Sequence, residues 1–131
     1  FQPVLDDPSE TSGAGVHKVL LVAGKIYYDL KSEIDKRGVT DIALVRLEQY
    51  YPFPAAELTA IAAKYSGAQF VWVQDEPENQ GAWPFMAMEA HAAGLPALSV
   101  VSRPRSASPA TGSSKRSQVE AQLILERALS S

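Results

Sequence analysis

Carboxylate and amide side chains crowd the segment WVQDEPENQGAWPF, which runs from Trp72 to Phe85. Carboxylates serve as general acids and bases in enzymes, so Asp75 and Glu76 are candidates for proton transfer in a hydrolase or transferase. However, no His or Cys lies near them in the sequence to complete a proton relay. Amides satisfy the exposed backbone groups of a neighbouring element well, and Trp adds apolar area typical of cores and interfaces. We therefore favour a docking loop formed by Gln74, Asp75, Glu76, Asn79, Gln80 and Trp83.

A second candidate site consists of cations. Lys25 follows an apolar run, and Arg103 and Arg105 flank a proline further along the chain. Such side chains bind phosphate or carboxylate groups, which would suit a free-standing module that senses an acyl-CoA or a nucleotide. A salt bridge across an interface explains the two arginines equally well. The Gly24-Lys25 pair is not a P-loop, because Val19 and Ile26 stand where that motif needs Gly and Ser or Thr.

Composition limits the classes of protein to consider. The chain has 131 residues, 46% hydrophobic and 21% charged, which suits one ordinary globular domain. Its net charge of −3 gives no general support to a nucleic-acid or anionic-membrane partner. No apolar run approaches the roughly 20 residues of a membrane-spanning helix. The sequence has no cysteine, so it forms no disulfide and no thiolate metal site. His17 and His91 are too far apart in the sequence for a metal-binding motif, so we expect no metal. We also expect a cytoplasmic location.

Hydrophobic patterning predicts the elements that must position these residues. Residues 1–17 are interpreted as a linker or extended N-terminal segment, and residues 18–131 as the domain. Apolar runs predict strands at 19–23, 42–45, 70–73 and 98–101. Helical stripes follow each strand, the first formed by Ile26, Leu30 and Ile34 and closed by Gly38, and the last covering 114–129. This alternation predicts an α/β fold with a mainly parallel sheet and helices on both faces.

The candidate residues fall at the carboxyl ends of the predicted strands, where open parallel sheets bind ligands. Two tyrosine pairs lie in the same regions, Tyr27-Tyr28 and Tyr50-Tyr51, and we expect one member of each pair in the core. The segments that should meet at this edge are 24–25, 48–54, 74–81 and 103–112.

Four segments in this order resemble one family. They are AGKIYYDL (23–30), DIALVRLEQYYPFP (41–54), VWVQDEPENQGAW (71–83) and RPRSASPATGSSK (103–115). They are similar to the C-terminal domain of 2-oxoglutarate dehydrogenase, the thiamine-diphosphate-dependent decarboxylating component of its complex, in its actinobacterial style. The resemblance covers about residues 17–130.

The resemblance implies a fold and a set of partners. The fold would be a three-layer α/β sandwich of the transketolase C-terminal type, often with one antiparallel edge strand. The parent enzyme would be a homodimer that decarboxylates 2-oxoglutarate on thiamine diphosphate with Mg²⁺. It would pass the succinyl group to the lipoyl group of a partner succinyltransferase, and the cofactor would supply the difficult chemistry.

The resemblance assigns no catalytic residue to this chain. The family's diphosphate–Mg²⁺ motif begins Gly-Asp-Gly, and that tripeptide is absent from the sequence. We therefore expect no bound cofactor, no activity from this chain alone, and a structural and regulatory role within the parent enzyme. Actinobacterial relatives also imply acetyl-CoA as an effector, to which Lys25, Arg103 and Arg105 would contribute by charge.

Overall fold

The computed structural model describes residues 2–8, 13–104 and 114–130. Within these ranges the chain forms five strands and four helices. The strands are β1 (Val4–Leu5), β2 (Lys18–Val22), β3 (Ile42–Leu47), β4 (Gln69–Pro77) and β5 (Leu98–Arg103). The helices are α1 (Ile26–Arg37), α2 (Ala55–Lys64), α3 (Trp83–Ala92) and α4 (Ser114–Leu129). No helix in the described ranges is long and apolar enough to cross a membrane.

The five strands form one mixed sheet in the order β1-β3-β2-β4-β5. The central strand β2 pairs in parallel with β3 on one side and with β4 on the other, and β5 continues the sheet in parallel beyond β4. Only β1 runs antiparallel, along the outer edge of β3. The predicted α/β class, the mainly parallel sheet and the antiparallel edge strand are thus confirmed.

Two hydrophobic cores lie between the sheet and the helices, one on each face of the sheet. On one face Leu20 and Leu44 pack against α1 and α4, where Leu30 and Ile124 are buried. On the opposite face the residues of the sheet pack against α2 and α3. The predicted stripe of α1 is buried, and Gly38 ends that helix with a φ of 67°. Glycine suits this left-handed position because it has no Cβ.

The N-terminal segment supplies the edge strand β1. Beyond that strand, the buried Asp7 carboxylate accepts a hydrogen bond from the backbone N–H of Leu44 at 2.8 Å. The neighbouring Asp6 carboxylate accepts a hydrogen bond from the Tyr65 hydroxyl at 2.7 Å. The segment interpreted as a linker is therefore fastened to both β3 and the end of α2, while the domain boundary at residue 18 stays a prediction.

Polar contacts of Lys18 and Arg37 help to hold helix α4 in place. The buried Lys18 ammonium donates hydrogen bonds to the carbonyl oxygens of Ala128 at 3.0 Å and Ser130 at 2.7 Å. A cation suits this position because the last carbonyls of a helix carry partial negative charge. Burial lowers the pKa of Lys18. Arg37 of α1 contacts Glu126 of α4 at 2.6 Å, so α4 is fixed to both the sheet and the neighbouring helix.

Strand β4 runs well past its predicted end. We placed Gln74, Asp75 and Glu76 in a loop, and that part of the prediction is wrong because β4 continues to Pro77. Pairing with β5 is interrupted by an irregularity and then resumes at Pro77 opposite Arg103. Polar residues therefore extend the strand beyond the apolar run from which its length was predicted.

Candidate functional site

A groove opens at the carboxyl ends of β2 and β4. These two strands are neighbours, but β2 leads into α1 on one face of the sheet and β4 leads into α3 on the other. Chain connections that diverge in this way leave a crevice where α/β proteins bind ligands. The groove has a volume of about 850 Å³. It lies among the β2–α1 turn, the β3–α2 connection, the end of β4, the start of α3 and one side of α4.

Aromatic rings form one wall of the groove. The Tyr50 ring lies edge-on to Trp72 and Phe85, with centroid distances of 6.4 Å and 6.3 Å. Trp72 is almost fully buried, whereas Tyr50 is 40% exposed and Tyr51 is 86% exposed. Burial, and then the negative charge of Glu76, raise the pKa of the Tyr50 hydroxyl, so it stays protonated.

The prediction that one tyrosine of each pair lies in the core is wrong for Tyr50 and Tyr51, whereas Tyr27 of the other pair is partly buried against the core. Tyr50 and Tyr51 stand at the mouth of the groove. In the other pair, the Arg46 guanidinium lies 5.0 Å from the ring centroid of Tyr27 and 5.2 Å from that of Tyr28. A cation close to both rings stabilises this cluster.

The side-chain amide of Gln74 joins the end of β4 to the start of α3. Gln74 is buried, and its Oε1 accepts hydrogen bonds from Trp72 Nε1 and from the backbone N–H of Trp83, both at 2.9 Å. Its Nε2 donates to the carbonyl oxygens of Pro77 and Gln80, both at 2.8 Å. A longer contact of 3.3 Å joins Nε2 to the carbonyl oxygen of Glu76, so both the acceptor and the donor positions of the amide are used. We call this arrangement the amide clamp.

Gly81 allows the chain to pass close to the amide clamp. Its φ is 64°, in the left-handed region, and a Cβ placed there would lie 3.2 Å from Gln74 Nε2 and 2.9 Å from Glu76 Oε1. A residue with a side chain would need both the strained backbone and a displacement of its neighbours. Glycine is therefore favoured at this position for two reasons, the backbone conformation and the limited space.

Arg103 links three elements beside the groove. Its Nε donates to the carbonyl oxygen of Asp75 at 2.7 Å, and its Nη2 lies 2.9 Å from the Asp75 carboxylate. Its Nη1 contacts Glu120 of α4 at 2.8 Å, and the Arg103 side chain is only 12% exposed. Burial opposes its charge, but Glu120 and Asp75 outweigh that effect and raise the pKa of Arg103. The guanidinium is therefore engaged with carboxylates of this same chain.

The predicted cation set is thus divided. Lys25 is exposed at the start of α1 and lines the groove, whereas Arg103 is directed to Asp75 and Glu120. Arg105 lies outside the described residues. The residues that line the groove include three carboxylates and one ammonium group. This balance disfavours an anionic ligand.

The predicted docking residues are close together but differ in exposure. Gln74 is buried at the centre, Trp83 is half-buried against the core, and Asp75, although exposed, is held by Arg103. Asn79 and Gln80, in the turn that follows, make contacts within the chain and keep at least part of their surface in water. Their role in docking stays a prediction.

Catalytic chemistry finds little support in this geometry. Asp75, one of the two proposed general acids or bases, is paired with Arg103, whose Nη2 lies 2.9 Å from its carboxylate. Among the residues that the structure describes, no group of three or more His, Cys, Asp or Glu is placed to hold a metal ion. Asp29 and one side of α4 also line the groove, and they were not predicted to do so. The residues next to them in the sequence form no motif that indicates a position at the groove.

Comparison with known proteins agrees with the four motifs. The family model described as "2-oxoglutarate dehydrogenase C-terminal" matches residues 1–129. The multifunctional 2-oxoglutarate metabolism enzyme of Mycolicibacterium vanbaalenii is 40% identical over 98% of this chain, which corresponds to 11% of that protein. The 2-oxoglutarate dehydrogenase E1/E2 component of Corynebacterium glutamicum is also 40% identical, over 98% of this chain and 11% of its own length.

A similar match comes from outside the actinobacteria. The 2-oxoglutarate dehydrogenase E1 component of Cupriavidus necator is 41% identical over 98% of this chain and 14% of that protein. The chain therefore spans a small part of the length of the curated relatives that it matches. The family predicted from the four motifs is confirmed, and its relatives include actinobacterial proteins. This chain belongs to the 2-oxoglutarate dehydrogenase C-terminal family.

Proposed function

We propose that this domain serves the E1 component of a 2-oxoglutarate dehydrogenase as a docking and regulatory domain, and that it is inactive alone. The amide clamp is the observation that carries the proposal. Its buried amide bonds to the Trp72 indole and to backbone groups in and beside the 78–82 turn. These bonds support a role of the amide in fixing the shape of the turn and not in a reaction. A rigid turn loses little conformational entropy when it docks, which favours its use as an interface.

The proposal extends to the fold family. A mainly parallel sheet with one antiparallel edge strand, covered by helices on both faces, supports a transketolase C-terminal-like classification. In that arrangement the domain would complete a homodimer and brace the catalytic domains.

The chemistry of the parent enzyme is assigned to polypeptide outside these 131 residues. Thiamine diphosphate, when bound there with Mg²⁺, would supply the nucleophile and electron sink for decarboxylation of 2-oxoglutarate. The residues described here do not fit that group, since they place no cluster of metal-ligating side chains. The lipoyl group of the succinyltransferase would receive the succinyl product, and the cytoplasm is the proposed compartment.

The test uses the full-length polypeptide that carries this sequence. Gln80→Ala and Trp83→Phe should weaken dimer or domain assembly in sedimentation experiments, while single-turnover decarboxylation by the assembled fraction stays unchanged. Gln69→Ala is the matched control, because Gln69 is exposed at the opposite end of β4. Thermal unfolding of the 131-residue chain separates loss of folding from loss of docking. Normal assembly combined with lost decarboxylation would contradict the proposal.

The alternative function is a module that senses an acyl-CoA or nucleotide. One observation favours it, namely that Lys25 lines a groove large enough for a small ligand. The engagement of Arg103 with two carboxylates and the acidic groove lining count against it. Calorimetry with acetyl-CoA, CoA and AMP decides between the two. Micromolar binding by the isolated chain would favour the sensor and would support acetyl-CoA as an effector.

A further inference from the structure

We propose that the groove between β2 and β4 receives an arginine-bearing protein segment, whose guanidinium lies between Tyr50 and the carboxylates of Asp29 and Glu76. The inference deepens the proposed function and rests on it in one respect, namely that the segment belongs to parent polypeptide outside these 131 residues. It identifies the groove as a docking surface in addition to the 78–82 turn.

Charge is the first argument. Asp29, Asp75 and Glu76 line the groove, and Lys25 is the one cation among its described lining residues. Asp75 already has Arg103 as a partner, which leaves two carboxylates facing one ammonium group. A cationic occupant gains from this excess, whereas a phosphate would meet repulsion from it.

The aromatic wall is the second argument. Tyr50 is 40% exposed and Tyr51 is 86% exposed, and both line the groove. An exposed tyrosine ring attracts a cation to its face, and a neighbouring carboxylate attracts the same cation by its negative charge. A guanidinium suits such a site better than an ammonium, because its flat surface stacks on a ring while its edge donates to a carboxylate.

Shape is the third argument, and it favours a segment over a free cation. The groove has apolar lining residues besides its charged ones, among them Phe85 of the aromatic wall and Ile124 and Leu125 of α4. A volume of about 850 Å³ exceeds what one guanidinium fills. Aliphatic neighbours of the arginine would cover these apolar side chains and remove them from water. The relatives also have ample polypeptide to supply such a segment, since this chain corresponds to 11% of the first of them.

The first experiment is a titration of the isotope-labelled 131-residue chain, followed by nuclear magnetic resonance. The probes are acetyl-Leu-Arg-Leu-amide and the same peptide with citrulline, which keeps the shape of arginine and removes its charge. At low ionic strength the arginine peptide should bind about tenfold more tightly. Its shifts should map to the groove and include the Trp72 indole N–H, which lies in the groove wall.

Variants assign the contacts. Glu76→Gln should weaken binding of the arginine peptide several-fold and leave citrulline binding unchanged. Tyr50→Leu should also weaken it, while Tyr50→Phe should not, because the ring remains. Glu57→Gln is the matched control, since Glu57 is exposed on α2 and away from the groove. The unfolding midpoint of each variant shows that the domain is intact.

Several outcomes would overturn the proposal. They are equal affinity for the two peptides, no shifts in the groove, and free arginine amide binding as tightly as the peptide. Self-association through the groove on concentration would assign it to a second copy, and competition by CoA would assign it to an anion. All of these outcomes are measured on the isolated 131-residue chain. A failure of this proposal can therefore be distinguished from a failure of the assembly test with Gln80→Ala.

The source of the segment is tested in the full-length polypeptide. Glu76→Lys should release the domain and expose new sites to limited proteolysis, whereas the control Glu57→Lys should not. An unchanged cleavage pattern, together with peptide binding by the isolated chain, would overturn the assignment of the segment to the parent.

Discussion

Removing the amide of Gln74 tests whether it organises the β4–α3 connection. Gln74→Met keeps the length of the side chain and deletes both its acceptor and its donors. The indole N–H of buried Trp72 and the backbone N–H of Trp83 each lose their hydrogen-bond partner. The carbonyl oxygens of Pro77 and Gln80 lose a donor.

The expected loss follows from these four groups. A buried donor without a partner costs about 1–3 kcal/mol, and Trp72 is 2% exposed, so its indole falls within that range. The Trp83 N–H and the Gln80 carbonyl are only partly buried, and the Pro77 carbonyl keeps the hydrogen bond from the Gln80 backbone N–H, so together they add about 1 kcal/mol. The free energy of unfolding should therefore fall by about 2–4 kcal/mol. The free energy of unfolding of a domain of this size is roughly 5–15 kcal/mol, so the variant should still fold.

Urea unfolding measures the global loss, and amide hydrogen exchange measures the local one. Exchange at the Trp83 backbone N–H and the Trp72 indole should accelerate more than exchange in β2. Gln69→Met on the same strand is the control, since its side chain is exposed and reaches only Ser99 Oγ at 3.5 Å. We expect it to change stability by less than about 0.5 kcal/mol. Equal effects of the two substitutions would refute the role of the clamp.

Three further predictions concern Gly81 beside the amide clamp and two ion contacts, those of Lys18 and Glu126. Gly81→Ala should destabilise by about 1–3 kcal/mol in thermal unfolding. It should cost more than Gly94→Ala, which shares a positive φ but has open space around its Cβ position. Lys18→Met should cost about 1–2 kcal/mol by leaving the end of α4 uncapped. Because burial lowers the pKa of Lys18, the native protein should gain stability as pH rises towards 10.5, and urea titrations of the variant should lack that gain. Glu126 has its pKa lowered by its hydrogen bond from Arg37, so its stabilisation should be present above pH 4.5 and lost as pH falls. Acid titration of Glu126→Gln should lack that component, and an unchanged profile would contradict the pairing.

The elements of the fold could be predicted because each buried face has its own period in the sequence. Ile26, Leu30 and Ile34 recur at helical spacing, and all three are buried on one side of α1. The end of β4 could not be predicted in the same way. Gln74 is polar but buried, and only the hydrogen bonds made across the following turn compensate for its burial.

The groove was harder to predict than the fold. Its segments were expected to meet at the carboxyl edge of the sheet, and the ends of β2 and β4 do meet there. The contact of Arg103 with Glu120 could not be predicted, because Glu120 lies on a distant helix that the local sequence does not indicate. One of Tyr50 and Tyr51 was expected in the core, yet both are exposed, because the apolar pattern does not show that this pair lies at the mouth of a groove.

The edge strand β1 has a consequence for anyone who shortens this polypeptide. A chain that began at residue 18 would lose both the short antiparallel pairing and the Asp7 carboxylate that receives the Leu44 N–H. Strand β3 would then present a free row of donors and acceptors to any other molecule of the same kind. We expect such a truncated protein to form aggregates through strand addition, and a short N-terminal peptide added in trans to suppress them.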